Sequence, residues 1–228
     1  MTSTTNAGAQ PVSYRQQRFQ PPPGATELLL VRHGESEAYV DGTPFALIGG
    51  QGDPPLSEPG REQARRVCAH LAAGGVDAIY VSTLQRTAQT AAPLASELGL
   101  DPIVEADLRE VYLGAWEGGL FRKMVAEGHP IGLRMAADER WDVIPGAEPA
   151  DEFAARVKTV IERVAAAHPD QRVAAFTHGG TIGEALALAA GSRPFAFVGA
   201  SNASISRLVV TPERWIVRSY NETAHLED

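Results

Sequence analysis

The stretch Leu28-Leu29-Leu30-Val31-Arg32-His33-Gly34-Glu35 decides how this chain is read. Four consecutive apolar residues suit a strand buried on both faces, which occurs in the interior of a parallel sheet covered by helices. The polar cluster then stands at the carboxyl end of that strand. A second segment has the same form: Val173 to Phe176 reads as a strand and runs into Thr177-His178-Gly179-Gly180-Thr181. Two strand ends thus each deliver a histidine followed by glycine, and in open α/β sheets ligands bind beyond the carboxyl ends of the strands. Glycine after histidine is expected to let the backbone approach an anion closely, because it has no Cβ.

Outward from these segments, strands and helices alternate. Ser57 is a candidate N-cap with Glu58 and Pro59 in the first turn, and Ala64, Val67, Cys68 and Leu71 recur at helical spacing until Gly74-Gly75. Ala78 to Val81 reads as a strand. Leu84 to Leu98 reads as a helix disturbed near Pro93, which lacks the needed N–H. Glu152 to Ala167 and Ile182 to Ala190 are helical, and Ser204 to Val210 with Trp215 to Tyr220 form a hairpin that makes the sheet mixed at one edge. The expected fold is therefore α/β, a three-layer α/β/α sandwich with a mostly parallel central sheet. Residues 112–150 break the alternation with six glycines among short helical patterns, and are expected to form a small helical excursion over the site that shapes substrate choice.

Composition limits the partners. The 228 residues fit one domain over 27–228, preceded at 1–26 by a Ser, Thr, Gln and Pro-rich tail or arm that cannot bury enough apolar surface to offset ordering. A net charge of −8 argues against nucleic acid as a partner, because a basic face supplies most of that affinity. There is no run of about 18 apolar residues for a membrane span and no secretory pattern. The single cysteine, Cys68, excludes an internal disulfide. A cytoplasmic setting is expected.

Walker, serine-hydrolase, zincin and dinucleotide signatures are all missing. What remains is Arg32-His33-Gly34, then Pro55-Leu56-Ser57-Glu58-Pro59-Gly60-Arg61-Glu62-Gln63-Ala64, then Ser82-Thr83-Leu84-Gln85-Arg86-Thr87-Ala88-Gln89-Thr90-Ala91. Leu108-Arg109-Glu110 with Gly114-Ala115-Trp116-Glu117-Gly118, His178-Gly179-Gly180 and Asn202-Ala203-Ser204 follow. In this order the segments resemble the histidine phosphatase superfamily, in its phosphoglycerate mutase-like branch, over residues 27–220. The resemblance implies that His33 is the nucleophile and forms a phosphohistidine, and that Glu110 gives a proton to the leaving oxygen. A neutral imidazole can attack if one nitrogen is free and the other holds its proton against a fixed acceptor, for which a backbone carbonyl is expected. Arg32, Arg86 and a charged His178 would stabilise the transferring phosphoryl group without a metal or an organic cofactor. Gly179 would aim its N–H at a phosphoryl oxygen, and Ser36 and Tyr39 would help to bind substrate.

Departures from the family pattern restrict the substrate. Tyr39 stands where better-known members often have asparagine, the loop from Ser36 to Gly50 is several residues longer than usual, and residues 112–150 contain no Arg-Arg pair of the mutase kind. Arg122, Lys123, Arg134 and Arg140 read equally well as solvated helix charges or as contacts to an anionic substrate. The resulting expectation is a metal-independent phosphomonoesterase acting on a small phosphorylated metabolite. The alternatives are a mutase-like phosphotransferase and a catalytically silent binding member. A homodimer is compatible with the pattern, with the N-terminal arm as one way to build it. His70, His129, His168 and His225 are expected to be structural.

Overall fold

The structure is a computed structural model that describes residues 13–227. Its main sheet has six strands in the order β5-β4-β6-β1-β7-β8, formed by β1 (Thr26–Arg32), β4 (Ala78–Val81), β5 (Ile103–Val104), β6 (Arg172–Thr177), β7 (Ile205–Val210) and β8 (Trp215–Glu222). A separate two-stranded ribbon, β2 (Leu47–Ile48) with β3 (Gln51–Gly52), lies in the long loop after β1. Strands β5, β4, β6 and β1 are mutually parallel, and β7 runs antiparallel between β1 and β8. The mostly parallel α/β/α architecture expected from the sequence is what the chain forms.

The layering follows from the alternation of side chains along each strand. Leu28 and Leu30 of β1 face α5 (Ala150–Ala167) and α6 (Gly179–Ala190), where they join Phe153, Val157, Ile161, Ile182 and Leu186. Leu29 and Val31 face α1 (Glu58–Gly74) and α2 (Gln85–Leu98), where they meet Val67, Leu71, Ala91 and Leu94. All four β1 side chains are fully buried, each contributing about 1.5–3 kcal/mol relative to exposure. This double burial explains why β1 is central. Cys68 belongs to the α1–α2 face, and burial pushes its thiol up to about 12, so it supplies no thiolate.

The local start signals act as expected in α1, where the Ser57 hydroxyl accepts the N–H of Gly60 at 3.2 Å and Gly75 follows the last turn. Two expectations need correction. Helix α2 runs without interruption through Pro93, because buried Ala91 and Leu94 hold it against the core despite the missing N–H. Helix α6 begins at Gly179 rather than Ile182, with His178 as its N-cap residue. The short edge strand β5 and the ribbon β2–β3 had no signature in the sequence.

Between β5 and α5 the chain forms α3 (Leu120–Ala126), α4 (Pro130–Asp138) and short 3-10 turns around a satellite core of Trp116, Met135 and Ile144. Residues 13–25 carry no helix or strand, and Phe19 lies under the guanidinium of Arg218 at 3.8 Å. The first twelve residues of the tail lie outside the described residues.

Candidate active site

Parallel register brings the chemistry to one edge. Arg32 of β1 is level with Thr177 of β6, and Val81 of β4 is level with Phe176, so His33, His178 and Ser82 emerge side by side. The His33 N–H is fixed by the Thr177 carbonyl at 3.0 Å, and the His33 carbonyl accepts from the Asn202 side chain at 3.0 Å.

His33 is 7% exposed and lines a cleft of about 230 Å³ together with Arg32, Arg86 and Glu110. Its Nδ1 lies 2.7 Å from the Gly34 carbonyl oxygen, which can only accept, so Nδ1 carries the proton and Nε2 is unprotonated. Burial, followed by the nearby Arg86 and Arg32 charges, holds the ring well below its ordinary 6.5 and therefore neutral.

Gly34 has a different use from the one expected. Its N–H is taken by the Thr90 hydroxyl at 3.0 Å, and a Cβ there would stand 2.4 Å from the Gly60 carbonyl oxygen. Glycine at this place allows the first turn of α1 to approach the loop after His33 rather than an anion to approach the backbone.

Arg86 is held on three sides. It donates to the Gly52 carbonyl at 2.9 Å and to His178 Nδ1 at 3.2 Å, and its Nη1 lies 3.9 Å from Asp53. Asp53 also accepts the Gln85 N–H at 2.8 Å, so one carboxylate both caps α2 and steadies the arginine. Burial lowers Arg86 to about 10, which leaves it charged at neutral pH. Arg32 donates to the Ala200 carbonyl, while its Nε is buried with no hydrogen-bond partner among the described residues.

His178 is fully buried and is absent from the cleft lining. A guanidinium can only donate, so Nδ1 accepts from Arg86 and the proton sits on Nε2, donating to the Ser82 hydroxyl at 2.9 Å. Ser82 contacts the Thr87 hydroxyl at 3.1 Å, which donates to the Leu84 carbonyl at 2.8 Å. Burial, then Arg86, pushes the ring well below 6.5. The expected charged His178 facing a phosphoryl group is therefore corrected to a neutral imidazole that aims Arg86, its ring centre 5.1 Å from that of His33.

Glu110 is positioned by the start of α6. Its Oε1 accepts from Val111 at 3.0 Å and Thr181 at 3.2 Å, and its Oε2 accepts from Gly180 at 3.1 Å. One lone pair of Oε2 is left for a proton. Gly179 lies outside the cleft lining, where an added Cβ would meet Arg32 Nε at an ordinary 3.5 Å.

Tyr39 and Ser36 do not line the cleft. Tyr39 packs edge-on against Phe45 at 6.0 Å, and Ser36 accepts from Arg122 at 2.8 Å. Arg122, which the sequence left undecided, does line it, with Phe45, Trp116, Phe121 and Trp141. Asp53 and Gln51 were also missed, because nothing in their neighbourhood marks them except the structure they join. The remaining histidines have local partners: His129 accepts from the Ile131 N–H at 3.2 Å, His168 pairs with Tyr80 at 3.0 Å, and His70 stacks on His225 at 5.2 Å.

Residues 28–223 match the family described as Histidine phosphatase superfamily (branch 1). The chain belongs to that superfamily. Among similar histidine phosphatases is phosphoserine phosphatase 1 of Hydrogenobacter thermophilus, 33% identical over 204 residues that cover 88% of this chain and 94% of the relative. Phosphoglycerate mutase-like protein 4 of Arabidopsis thaliana is 30% identical over 207 residues, covering 89% and 87%. The structure of mycobacterial glucosyl-3-phosphoglycerate phosphatase superimposes with a TM-score of 0.72 at 29% identity, covering 87% of this chain and 99% of that one. This histidine phosphatase is accordingly a phosphatase in its reaction class. Among its described residues no helix is long and apolar enough to cross a membrane.

Proposed function

We propose that the chain hydrolyses a small phosphomonoester in two steps through a phosphohistidine at His33. The observation that carries this reading is the pairing of a neutral, oriented His33, its Nε2 unprotonated, with the Arg32 and Arg86 guanidiniums in the lining of one cleft. Guanidiniums so placed match the oxygens of a phosphoryl group.

In the first step the Nε2 lone pair attacks phosphorus and the ester P–O bond breaks. The leaving oxygen takes the proton from Glu110 Oε2 and departs as a neutral alcohol. Arg32 and Arg86 take up the charge on the non-bridging oxygens, which is where phosphoryl transfer most needs help. In the second step water attacks the phosphohistidine, Glu110 takes a proton from it, the N–P bond breaks and inorganic phosphate leaves. The proton stays on Nδ1 throughout, donated to the Gly34 carbonyl oxygen. The charge is supplied by arginines, so the reading requires no metal.

Hydrolysis is favoured over mutase chemistry by the excursion's cations. Lys123 is paired with Asp41 at 2.6 Å, Arg134 with Asp138 at 3.0 Å and Arg140 with Asp142 at 2.8 Å, leaving Arg122 alone of these four facing the cleft. A single guanidinium is a weaker means of retaining an intermediate against water than a pair.

The test is phosphate release from phenyl phosphate in excess chelator by the unaltered protein, His33→Ala and Glu110→Gln. Release that survives chelation and disappears in His33→Ala is the expected result. Undiminished release by His33→Ala would overturn the mechanism.

A further inference from the structure

The two sides of the cleft differ in chemistry. One side, from the strand ends, α2 and the segment after the turn that follows β5, holds His33, Arg32, Arg86 and Glu110. The other side comes from the excursion and the long loop after β1, and presents the rings of Phe45, Trp116, Phe121 and Trp141. Polar groups beside those rings are already engaged. Glu117 accepts from Gly52 at 2.8 Å and Leu113 at 2.9 Å, and the Gln51 amide donates to the Glu110 carbonyl at 2.8 Å. A polyhydroxylated leaving group would find few free partners there, and buried hydroxyls without partners are costly.

Arg122 is the exception. It stands exposed at the mouth of the cleft, yet its guanidinium is fixed. It donates to the Glu37 carbonyl at 2.7 Å and the Ser36 hydroxyl at 2.8 Å, and lies 5.3 Å from the centre of the Phe45 ring. All three partners are neutral, and among the described residues no carboxylate comes within ion-pair distance of Arg122, unlike Lys123, Arg134 and Arg140 on the same excursion. A cation that is held in place without an ion pair, Glu35 acting on it only from beyond ion-pair distance, and that stands beside aromatic rings suits a ligand bringing its own negative charge on a flat body. The cleft volume of about 230 Å³ accommodates one ring beyond the phosphate.

We infer that the substrate is a phosphomonoester whose leaving group is a single flat, mainly apolar ring carrying one acidic group, the ring lying against Trp141 and Phe121 and the acid meeting Arg122. This rests on the phosphatase reading above and adds the class of leaving group to it.

The test compares kcat/KM for 3-carboxyphenyl phosphate and phenyl phosphate, whose leaving phenols are closely matched, so that their ratio isolates the acid. The unaltered protein should prefer the carboxylated ester by about tenfold, the scale of one charge-assisted hydrogen bond in a partly wet site. Arg122→Met should bring the ratio to near one, and Arg122→Lys, which keeps the charge without the fork, should retain part of it. Trp141→Ala should raise KM for both esters severalfold and leave the ratio in place. A ratio near one in the unaltered protein, or a ratio unchanged in Arg122→Met, would overturn the assignment of Arg122 while leaving the phosphatase reading intact. Unchanged KM values in Trp141→Ala would overturn the ring's placement. Failure of the unaltered protein to hydrolyse either ester, with no phosphohistidine formed, would refute the phosphatase reading and this inference with it.

Discussion

His33 and Gly34 form the relationship on which the chemistry turns: the ring Nδ1 and the carbonyl oxygen of the next residue lie 2.7 Å apart. The ring proton is committed to the backbone, so the atom left basic is Nε2. His178 holds the opposite tautomer, with Nδ1 accepting from Arg86 and Nε2 donating to Ser82. Long-range nitrogen–proton correlation spectra should show an Nδ1–H ring and an Nε2–H ring for these two residues. Both should stay neutral as the pH is lowered through 6.5, since burial and neighbouring arginines depress both. An imidazolium pattern for either residue at pH 6.5 would contradict the electrostatic account.

The same depression sets a pH dependence of stability. Below pH 6.5 the unfolded chain binds protons on both imidazoles that the native protein excludes, so unfolding becomes easier as the pH falls and the contribution is flat above about pH 7. Each histidine adds about 1.4 kcal/mol per pH unit to that slope. Urea midpoints measured from pH 7.5 to 5.5 should therefore decline on acidification. In His178→Asn the decline should be shallower by one proton's worth.

Gly180 separates a catalytic effect from a stability effect. It lies in the first turn of α6, where alanine should favour the helix by about 1 kcal/mol, but a Cβ there would stand 2.5 Å from Glu110 Oε1. Gly180→Ala should lower kcat at least tenfold, because the carboxyl must move from its N–H partners, while the melting temperature changes less, the lost hydrogen bonds being offset in part by the helix gain. A variant that keeps full activity would show that the seat of Glu110 is unimportant.

Glu110 as proton donor predicts a dependence on the leaving group. Glu110→Gln should slow hydrolysis of alkyl phosphates by about 10²–10⁴-fold, the usual range for general acid catalysis. Esters of acidic phenols, which leave without a proton, should be slowed far less. Equal losses across a series of leaving groups would assign Glu110 to binding instead.

Much of the fold was legible because it rests on local patterns. Leu28 to Val31 could serve only a doubly covered strand, and Ser57 with Gly74-Gly75 bounded α1 at both ends. Elements lacking such a pattern were invisible. Ile103 and Val104 make a strand of two exposed residues, and the start of α6 hides behind Gly179-Gly180, whose helix propensity is poor. Pro93 was overweighted, since packing outvotes one missing hydrogen bond. At the site, residue types indicated chemistry but not orientation. His178 was placed at the right strand end, yet its role in aiming Arg86 depends on Ser82, ninety-six positions away in the chain. Arg122 stayed undecided between a surface charge and a substrate contact because its anchors, Ser36 and Glu37, belong to a loop whose path no periodicity reports.

The most direct test of the central claim is to mix the protein with a ³²P-labelled aryl phosphate, quench within one turnover and ask where the label resides. The account predicts label on His33, stable to alkali and lost in acid, and none in His33→Ala. Full turnover with no protein-bound label, or label that persists in His33→Ala, would contradict it.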